Sequence, residues 1–155
     1  MIGRKLGRYT IVRLLGSGGM GSVYYAEHDR LRRPAAIKIV DAKLLTNPQM
    51  VERFHNEAQL AALLKHAHLI DIYDHDQDPA TGALYMALEY LAGQTLSEYL
   101  NEHPGPADPK LILRIVAHVA SALKVVHARG AVHRDIKPDN IFLTERNGEK
   151  LFAVV

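Results

Sequence analysis

The chain contains no cysteine, so disulfides, thiolate metal sites and a cysteine nucleophile are excluded. Its formal net charge is only +2, and so small an excess argues against a nucleic-acid or membrane-surface partner. No run of about 20 apolar residues is present, which predicts no membrane-spanning segment. The basic N-terminal stretch also lacks the apolar centre of a signal peptide. We therefore expect a cytoplasmic protein.

What is present favours one ordinary globular domain. The 155 residues are 48% apolar and 23% charged, which is the composition of a soluble chain that can bury a core. Local patterns predict a small α+β lobe, with a helix that opens at Asn47-Pro48. Its five strands are expected at Tyr9–Leu15, 22–27, Ala35–Val40, 69–73 and 83–88.

A helical region is predicted to follow. Residues 91–94 are expected to be a linker, and 95–100 a short helix. Asp108 and Pro109 then provide a cap and a first-turn proline for a long helix to about Ala128, which Gly130 closes. The apolar stripe of this helix is predicted to be buried, and consists of Ile112, Ile115, Val116, Val119, Leu123 and Val126.

Three motifs carry chemistry, and they follow one another along the chain. The first is the glycine-rich stretch from Gly16 to Val23, whose glycines at 16, 18 and 21 allow backbone N–H groups to approach phosphates. The second is the strand end Ala35-Ala36-Ile37-Lys38. The third, His133 to Asn140, places the carboxylate of Asp135, the ammonium of Lys137 and a carboxamide together, as a phosphoryl-transfer site needs.

The glycine-rich stretch has two other interpretations. A dinucleotide-binding fold needs a helix to begin at the glycines, but the residues from Ser22 to Tyr25 favour a strand and offer no helix cap. A flexible hairpin without function is the other alternative. The motifs downstream argue against it.

Together the three motifs resemble those of the protein kinase family, and closely those of bacterial eukaryotic-like (Hanks-type) serine/threonine kinases. The resemblance extends from Tyr9 to Leu151. It implies an N-lobe over residues 9–90, with a five-stranded antiparallel sheet and one helix. Residues 91–155 are expected to be the hinge and an incomplete helical C-lobe. The resemblance also implies ATP and Mg²⁺ as cofactors and a protein serine or threonine hydroxyl as substrate.

The same resemblance implies which residues bind the nucleotide. Lys38 is expected to reach the α- and β-phosphates, held in place by an ion pair with Glu57. The main-chain carbonyl of Glu89 and the N–H of Leu91 are expected to pair with the adenine edge, and Phe142 to form the floor beneath it. The remaining residues enclose the phosphates or cover the adenine ring: Gly16, Ser17, Gly18, Gly21, Val23 and Ala36.

The loop residues are assigned roles on the same basis. Asp135 is expected to accept the hydroxyl proton and align the nucleophile, chiefly by positioning, because a carboxylate with an ordinary pKa near ~4 is a poor base. Lys137 is expected to face the transferred phosphoryl group, which indicates serine or threonine substrates. Asn140 is expected to bind Mg²⁺, His133 to be structural, and Arg134 to pair with a phosphate on an activation loop.

One expected motif is missing. The family continues with an Asp-Phe-Gly tripeptide that binds Mg²⁺ through its aspartate, and Ala153 stands at the aspartate's position, followed by two valines. We therefore expect a truncated kinase domain that is inactive alone. A non-catalytic nucleotide- or partner-binding fragment, of the pseudokinase type, is the main alternative. A small-molecule kinase of the antibiotic-phosphorylating type is disfavoured by Arg134 and Lys137, and a decayed gene product without a role stays open.

Overall fold

The structure, a computed structural model, describes residues 1–18, 21–40, 48–146 and 149–154. The chain divides into two units. The first consists of Met1–Leu63 and Asp71–Tyr90, and the second of Leu64–Ile70 and Leu91–Val155. Each unit is described by itself.

The first unit is built on one antiparallel sheet. Its strands are β1 (Lys5–Leu6), β2 (Tyr9–Gly18), β3 (Gly21–His28), β4 (Pro34–Val40), β5 (Ile72–Gln77) and β6 (Leu84–Glu89). They lie in the order β1-β2-β3-β4-β6-β5. Because side chains alternate between the faces of a strand, one face carries the core. The side chains of Leu6, Ile11, Ile37 and Tyr85 are fully buried in this core.

Helix α1 (Pro48–Ala62) packs on the edge strand β5 of this sheet. Ala58 is 1% exposed and marks the buried side of the helix. On the same helix, the Nδ1 atom of His55 lies 3.1 Å from Nδ1 of His75 on β5, and the ring of Phe54 meets the His75 ring edge-on. These contacts fix which face of α1 is turned toward the sheet.

Two predictions about this sheet are corrected. The sheet has six strands rather than five, because the two-residue strand β1 pairs with β2 and buries Leu6 completely. The strand predicted at 69–73 lies instead at Ile72–Gln77. Its polar sequence can form an edge strand because only one side pairs, with β6, while Leu69 packs in the other unit.

The second unit combines helices with a small sheet. The helices are α2 (Leu96–Glu102) and α3 (Pro109–Ala128), and a single 3₁₀ turn covers Pro138–Asn140. The antiparallel sheet has the order β7-β8-β9, with β7 at Gly93–Thr95, β8 at Ile141–Arg146 and β9 at Glu149–Val154. The expected linker at 91–94 therefore contains the first residues of a strand.

Local capping determines where the two helices begin. The Thr95 hydroxyl accepts the N–H of Glu98, whose carboxylate accepts the N–H of Thr95, and this capping box starts α2. The Asp108 carboxylate accepts the N–H of Lys110 and starts α3, with Pro109 in the first turn. Gly130 follows the end of α3 with φ of +73°. The predicted limits of α3 are confirmed.

The prediction for the buried face of α3 is only partly right. Ile115, Ala122 and Val126 are buried, and Leu69 joins the last two in one apolar cluster. Ile112 and Val116, by contrast, are 46% and 58% exposed. The small side chain of Ala122 was not predicted as core, since it carries little apolar surface.

Helix α3 also bears on the membrane prediction. By length and composition alone it is long and apolar enough to cross a membrane, although the core helix of a soluble protein passes the same test. One such helix is weak evidence. The absence of a membrane-spanning segment and the cytoplasmic location therefore stay predictions.

Candidate functional site

The glycine-rich stretch forms the end of the β2–β3 hairpin in the first unit. Gly16 pairs with Val23, Ser17 with Ser22 and Gly18 with Gly21, after a shift in register between Leu14 and Gly16. A Cβ atom at Gly16 or Gly18 would meet no atom of the described residues within 4 Å. The packing of this unit therefore does not require glycine there. Because glycine has no side chain, the space beside the backbone stays open, and a ligand can approach the backbone closely.

Three of the predicted nucleotide contacts lie on one face of the sheet. Val23 lies opposite Lys38 in the register of β3 and β4, and Tyr25 lies opposite Ala36. Directly paired residues share a face and alternate residues return to it, so Val23, Ala36 and Lys38 lie on the face opposite the buried Ile37. This arrangement leaves a small apolar surface beside one half-buried ammonium group.

The expected ion pair between Lys38 and Glu57 is not formed, and that prediction is corrected. Among the described residues, neither side chain makes an ion pair, and Glu57 is exposed. The reason is the orientation of α1. The helix turns Ala58 and His55 toward the sheet, and its main contact is with β5, whereas Lys38 lies on β4.

The predicted adenine-edge residues lie in the stretch of sequence where the chain passes from the first unit to the second. In the first unit, the N–H of Glu89 donates to the carbonyl of Asp71 at 2.8 Å, and the Glu89 carboxylate accepts the N–H of Asp71 at 3.4 Å. These two bonds hold the end of β6. In the second unit, Leu91 is 8% exposed. The nucleotide contacts predicted for Glu89 and Leu91 stay predictions.

The loop around Asp135 in the second unit is held by hydrogen bonds of its own. The Nδ1 atom of His133 accepts the N–H of Asp135 at 3.3 Å, which confirms the structural role predicted for His133. Arg134 has φ of +65°, a left-handed conformation that costs a non-glycine residue on the order of 1 kcal/mol. Strain of this kind is concentrated at functional sites.

The side chains of Asp135, Lys137 and Asn140 come together in this loop. The Asn140 carboxamide donates to the Asp135 carboxylate at 2.7 Å and to the Asp135 main-chain carbonyl at 2.8 Å. The Lys137 ammonium lies 3.2 Å from the same carboxylate oxygen. These contacts orient the carboxylate, and the sequence motif alone did not reveal them.

The same contacts set the charge of Asp135. The hydrogen bond from Lys137, followed by the one from Asn140, holds the pKa of the Asp135 carboxyl below its usual value. The carboxylate is thus fully ionised at neutral pH. It can orient a hydroxyl group but is a weak acceptor of its proton.

Phe142 lies in the central strand of the small sheet. It pairs with Thr95 on β7 and with Ala153 on β9, and its side chain is half-buried. Ala153, which the spacing from Asn140 places at the family's metal-binding aspartate, thus lies within strand β9, and its assignment to that position stays a prediction.

Among the described residues, the side chains near Asn140 provide only part of a magnesium site. Mg²⁺ prefers oxygen ligands, with one or two carboxylates. Near Asn140 the Asp135 carboxylate is already engaged by Lys137 and Asn140, and residues 151–154 are Leu, Phe, Ala and Val. In the part of the chain that the structure describes, no group of three or more His, Asp or Glu side chains is placed to hold a metal.

Comparison with known proteins agrees with the motifs. The model of the protein kinase domain matches residues 9–152 of this chain. The chain belongs to the protein kinase family. The match ends one residue before Ala153, so the kinase motifs up to β9 are covered and the tripeptide position is not.

Named relatives are serine/threonine kinases of bacteria. This chain is 39% identical over 155 residues to the serine/threonine-protein kinase Pkn1 of Myxococcus xanthus, covering 100% of this chain and 22% of that protein. It is 39% identical over 152 residues to PrkC of Bacillus subtilis, covering 97% of this chain and 23% of PrkC. The chain thus spans less than a quarter of the length of these relatives.

Solved structures show the same fold. The kinase domain of PknI from Mycobacterium tuberculosis aligns with a TM-score of 0.87 and 30% identity, covering 99% of this chain and 61% of that domain. The apo form of PpkA-294 aligns with a TM-score of 0.82 and 26% identity, covering 100% of this chain and 60% of the other. The protein kinase-like α+β fold is confirmed.

Proposed function

We propose that this chain supplies the ATP-binding hairpin and the catalytic loop of a serine/threonine protein kinase. The reaction is transfer of the γ-phosphoryl group of ATP to a serine or threonine hydroxyl of a protein. One observation carries the proposal: Asp135, Lys137 and Asn140 form a hydrogen-bonded group whose carboxylate is held in one orientation. Membership of the family supports the same reaction.

Each residue has a role that follows from its chemistry. Asp135 orients the acceptor hydroxyl for in-line attack, and the positioning is its larger contribution because its pKa is low. Lys137 offsets the charge that develops on the transferred phosphoryl group. Lys38 and the hairpin backbone at Gly16, Ser17, Gly18 and Gly21 bind the phosphates. Val23, Ala36 and Phe142 are proposed to contact the adenine ring.

We expect the transfer rate of this chain to be low. Magnesium normally neutralises the phosphates in this family, and the described residues near Asn140 offer it only the Asp135 carboxylate, which Lys137 and Asn140 already contact. Among the residues that the structure describes, Lys38 also forms no ion pair with a carboxylate that would position it. A loss of several kcal/mol of transition-state stabilisation, at about 1.4 kcal/mol per decade, corresponds to a rate at least about a thousandfold lower.

A phosphotransfer assay tests the proposal. The chain is incubated with labelled ATP and a general protein substrate, and phosphoserine and phosphothreonine are measured. Asp135→Asn is expected to abolish transfer, while Asp139→Asn, a matched change at an exposed carboxylate in the same loop, is expected to preserve it. Transfer that survives Asp135→Asn equally well contradicts the assignment.

A second candidate is a non-catalytic module that binds a nucleotide or a partner protein. The exposed Glu57, without an ion pair to Lys38, favours it, because efficient kinases need that pair in place. The two candidates differ in one readout. ATP binding without any transfer that depends on Asp135 indicates the binding module.

A further inference from the structure

Three side chains of the first unit form a cluster that the predicted site does not include. The rings of Tyr25 on β3 and Tyr90, the residue after β6, meet edge-on, with centroids 4.8 Å apart and planes at 83°. Arg13 on β2 donates from Nη2 to the Tyr90 hydroxyl at 3.3 Å, and its guanidinium carbon lies 5.2 Å from the centre of the Tyr25 ring. Both tyrosines are half-buried. The Tyr90 side chain is thus held by two neighbours within its own unit.

The cluster lies on the sheet face that carries the predicted nucleotide contacts. Arg13 pairs with Tyr25, and Tyr25 pairs with Ala36, so these residues share a face. Directly paired residues have Cβ atoms about 4.5–5.5 Å apart. Alternate residues return to the same face, so Val23 and Lys38 lie on it too. The Tyr25 ring, with Tyr90 against it, therefore stands beside the apolar surface proposed to contact adenine.

Tyr90 is bonded directly to Glu89, whose main-chain carbonyl is predicted to accept a hydrogen bond from the adenine edge. Strand pairing fixes the preceding side of Glu89, because its N–H donates to the carbonyl of Asp71 at 2.8 Å. The contact with Tyr25 fixes the residue that follows. The Glu89 carbonyl belongs to the peptide group that joins these two anchored residues. Turning that carbonyl requires one of the contacts to break.

We propose that Tyr90, Tyr25 and Arg13 are positioning residues that make this nucleotide site select adenine over guanine. The inference rests on the proposed function, because it assumes that the chain binds ATP on this face of the sheet. Adenine presents its N6 amino group as a hydrogen-bond donor, whereas guanine presents the acceptor oxygen O6 at the same place. A carbonyl held in one orientation accepts a hydrogen bond from adenine and repels the guanine oxygen. A carbonyl that can turn away discriminates less between the two bases.

Calorimetric titration of the whole chain with ATP and with GTP, in one buffer, gives the ratio of the two dissociation constants. The unaltered chain is expected to bind ATP more tightly. Tyr90→Ala is expected to lower this preference about two- to tenfold, the factor that one hydrogen bond contributes. Tyr90→Phe keeps the ring and is expected to retain most of the preference. A general loss of structure would instead weaken both nucleotides alike and leave their ratio unchanged.

Two further variants sharpen the test. Tyr25→Leu removes the edge-on contact and is expected to lower the ATP preference as well, with no added effect on top of Tyr90→Ala, because both changes remove the same contact. The matched control is Tyr99 of the second unit, a half-buried tyrosine that stacks on His103 with ring centroids 4.3 Å apart. Tyr99→Ala is expected to leave the preference unchanged.

The possible outcomes separate the inference from the proposed function. An ATP preference that survives Tyr90→Ala and Tyr25→Leu, or equal binding of ATP and GTP by the unaltered chain, overturns the inference and leaves the proposed function in place. If circular dichroism shows that Tyr90→Ala does not fold, Tyr25→Leu alone decides. Binding of neither nucleotide by the unaltered chain overturns both.

Discussion

Replacing Gly93 with alanine tests how closely strand β7 lies against strand β8. Gly93 has φ of +145° and pairs with Thr144. A Cβ atom built there would overlap the carbonyl oxygen of Leu143, and would lie 3.1 Å from the carbonyl carbon of Leu143 and 3.3 Å from Cα of Thr144. These are backbone atoms, which cannot rotate aside. The strand itself must move.

Gly105 is a matched control for the same change. Its φ is +132°, and a Cβ atom there meets nothing within 4 Å. Both substitutions carry the backbone strain of a side chain at positive φ, about 1–3 kcal/mol. Only Gly93→Ala also weakens pairing between β7 and β8 and the hydrogen bond from the Thr144 hydroxyl to the Ala92 carbonyl, 2.8 Å long. At about 0.5–1.5 kcal/mol per bond, the extra loss is about 2 kcal/mol.

Thermal unfolding followed by circular dichroism measures the difference. For a chain of this size about 1 kcal/mol corresponds to ~2–4 °C. Gly93→Ala is therefore expected to lower Tm by about 4–8 °C more than Gly105→Ala. Equal losses for the two variants would refute the close approach of the strands as the cause.

Three further predictions concern single side chains. Burial, followed by the nearby carboxylate of Asp76, raises the pKa of Tyr85 to about 12; an ultraviolet titration is expected to show one of the seven tyrosines ionising late, and Tyr85→Phe to remove that step. The Thr81 hydroxyl lowers the pKa of Asp78, so the ionised carboxylate stabilises the fold above its ordinary pKa and this stability is lost as pH falls below it; Asp78→Asn is expected to flatten the fall of Tm between about pH 5 and pH 3. Lys38→Met is expected to weaken ATP binding by about tenfold or more while sparing adenosine, which has no phosphate; equal weakening of both ligands would contradict the assignment.

Sequence patterns predicted α3 well because its boundaries are local. Asp108 and Pro109 start the helix and Gly130 follows its end, whatever packs around it. The fifth strand was placed wrongly for the opposite reason. Leu69 has the apolar character of a strand residue but packs against Ala122, and a polar segment further on became the edge strand. Local propensity could not choose between these two segments.

In the candidate site, too, some features follow from the local sequence and others depend on tertiary packing. Spacing along the chain identified Asp135, Lys137 and Asn140, and the structure brings all three together. The left-handed backbone of Arg134 and the double hydrogen bond from Asn140 had no clear signal in the sequence, because they depend on how the loop closes. The only residue in the sequence that indicated this loop geometry is Pro138, which fixes the start of the 3₁₀ turn.

The amino-acid order by itself determined the family, the order of its motifs and the absence of a carboxylate at position 153, since each is a matter of residue type and spacing. Whether Glu57 reaches Lys38 was decided only by the tertiary structure. The sequence assigned both residues to the family's positions, but the ion pair depends on the rotation of α1 about its axis. The packing of His55 and Ala58 on the sheet sets that rotation. The burial of these side chains outweighs the weak attraction between the Lys38 ammonium and the Glu57 carboxylate.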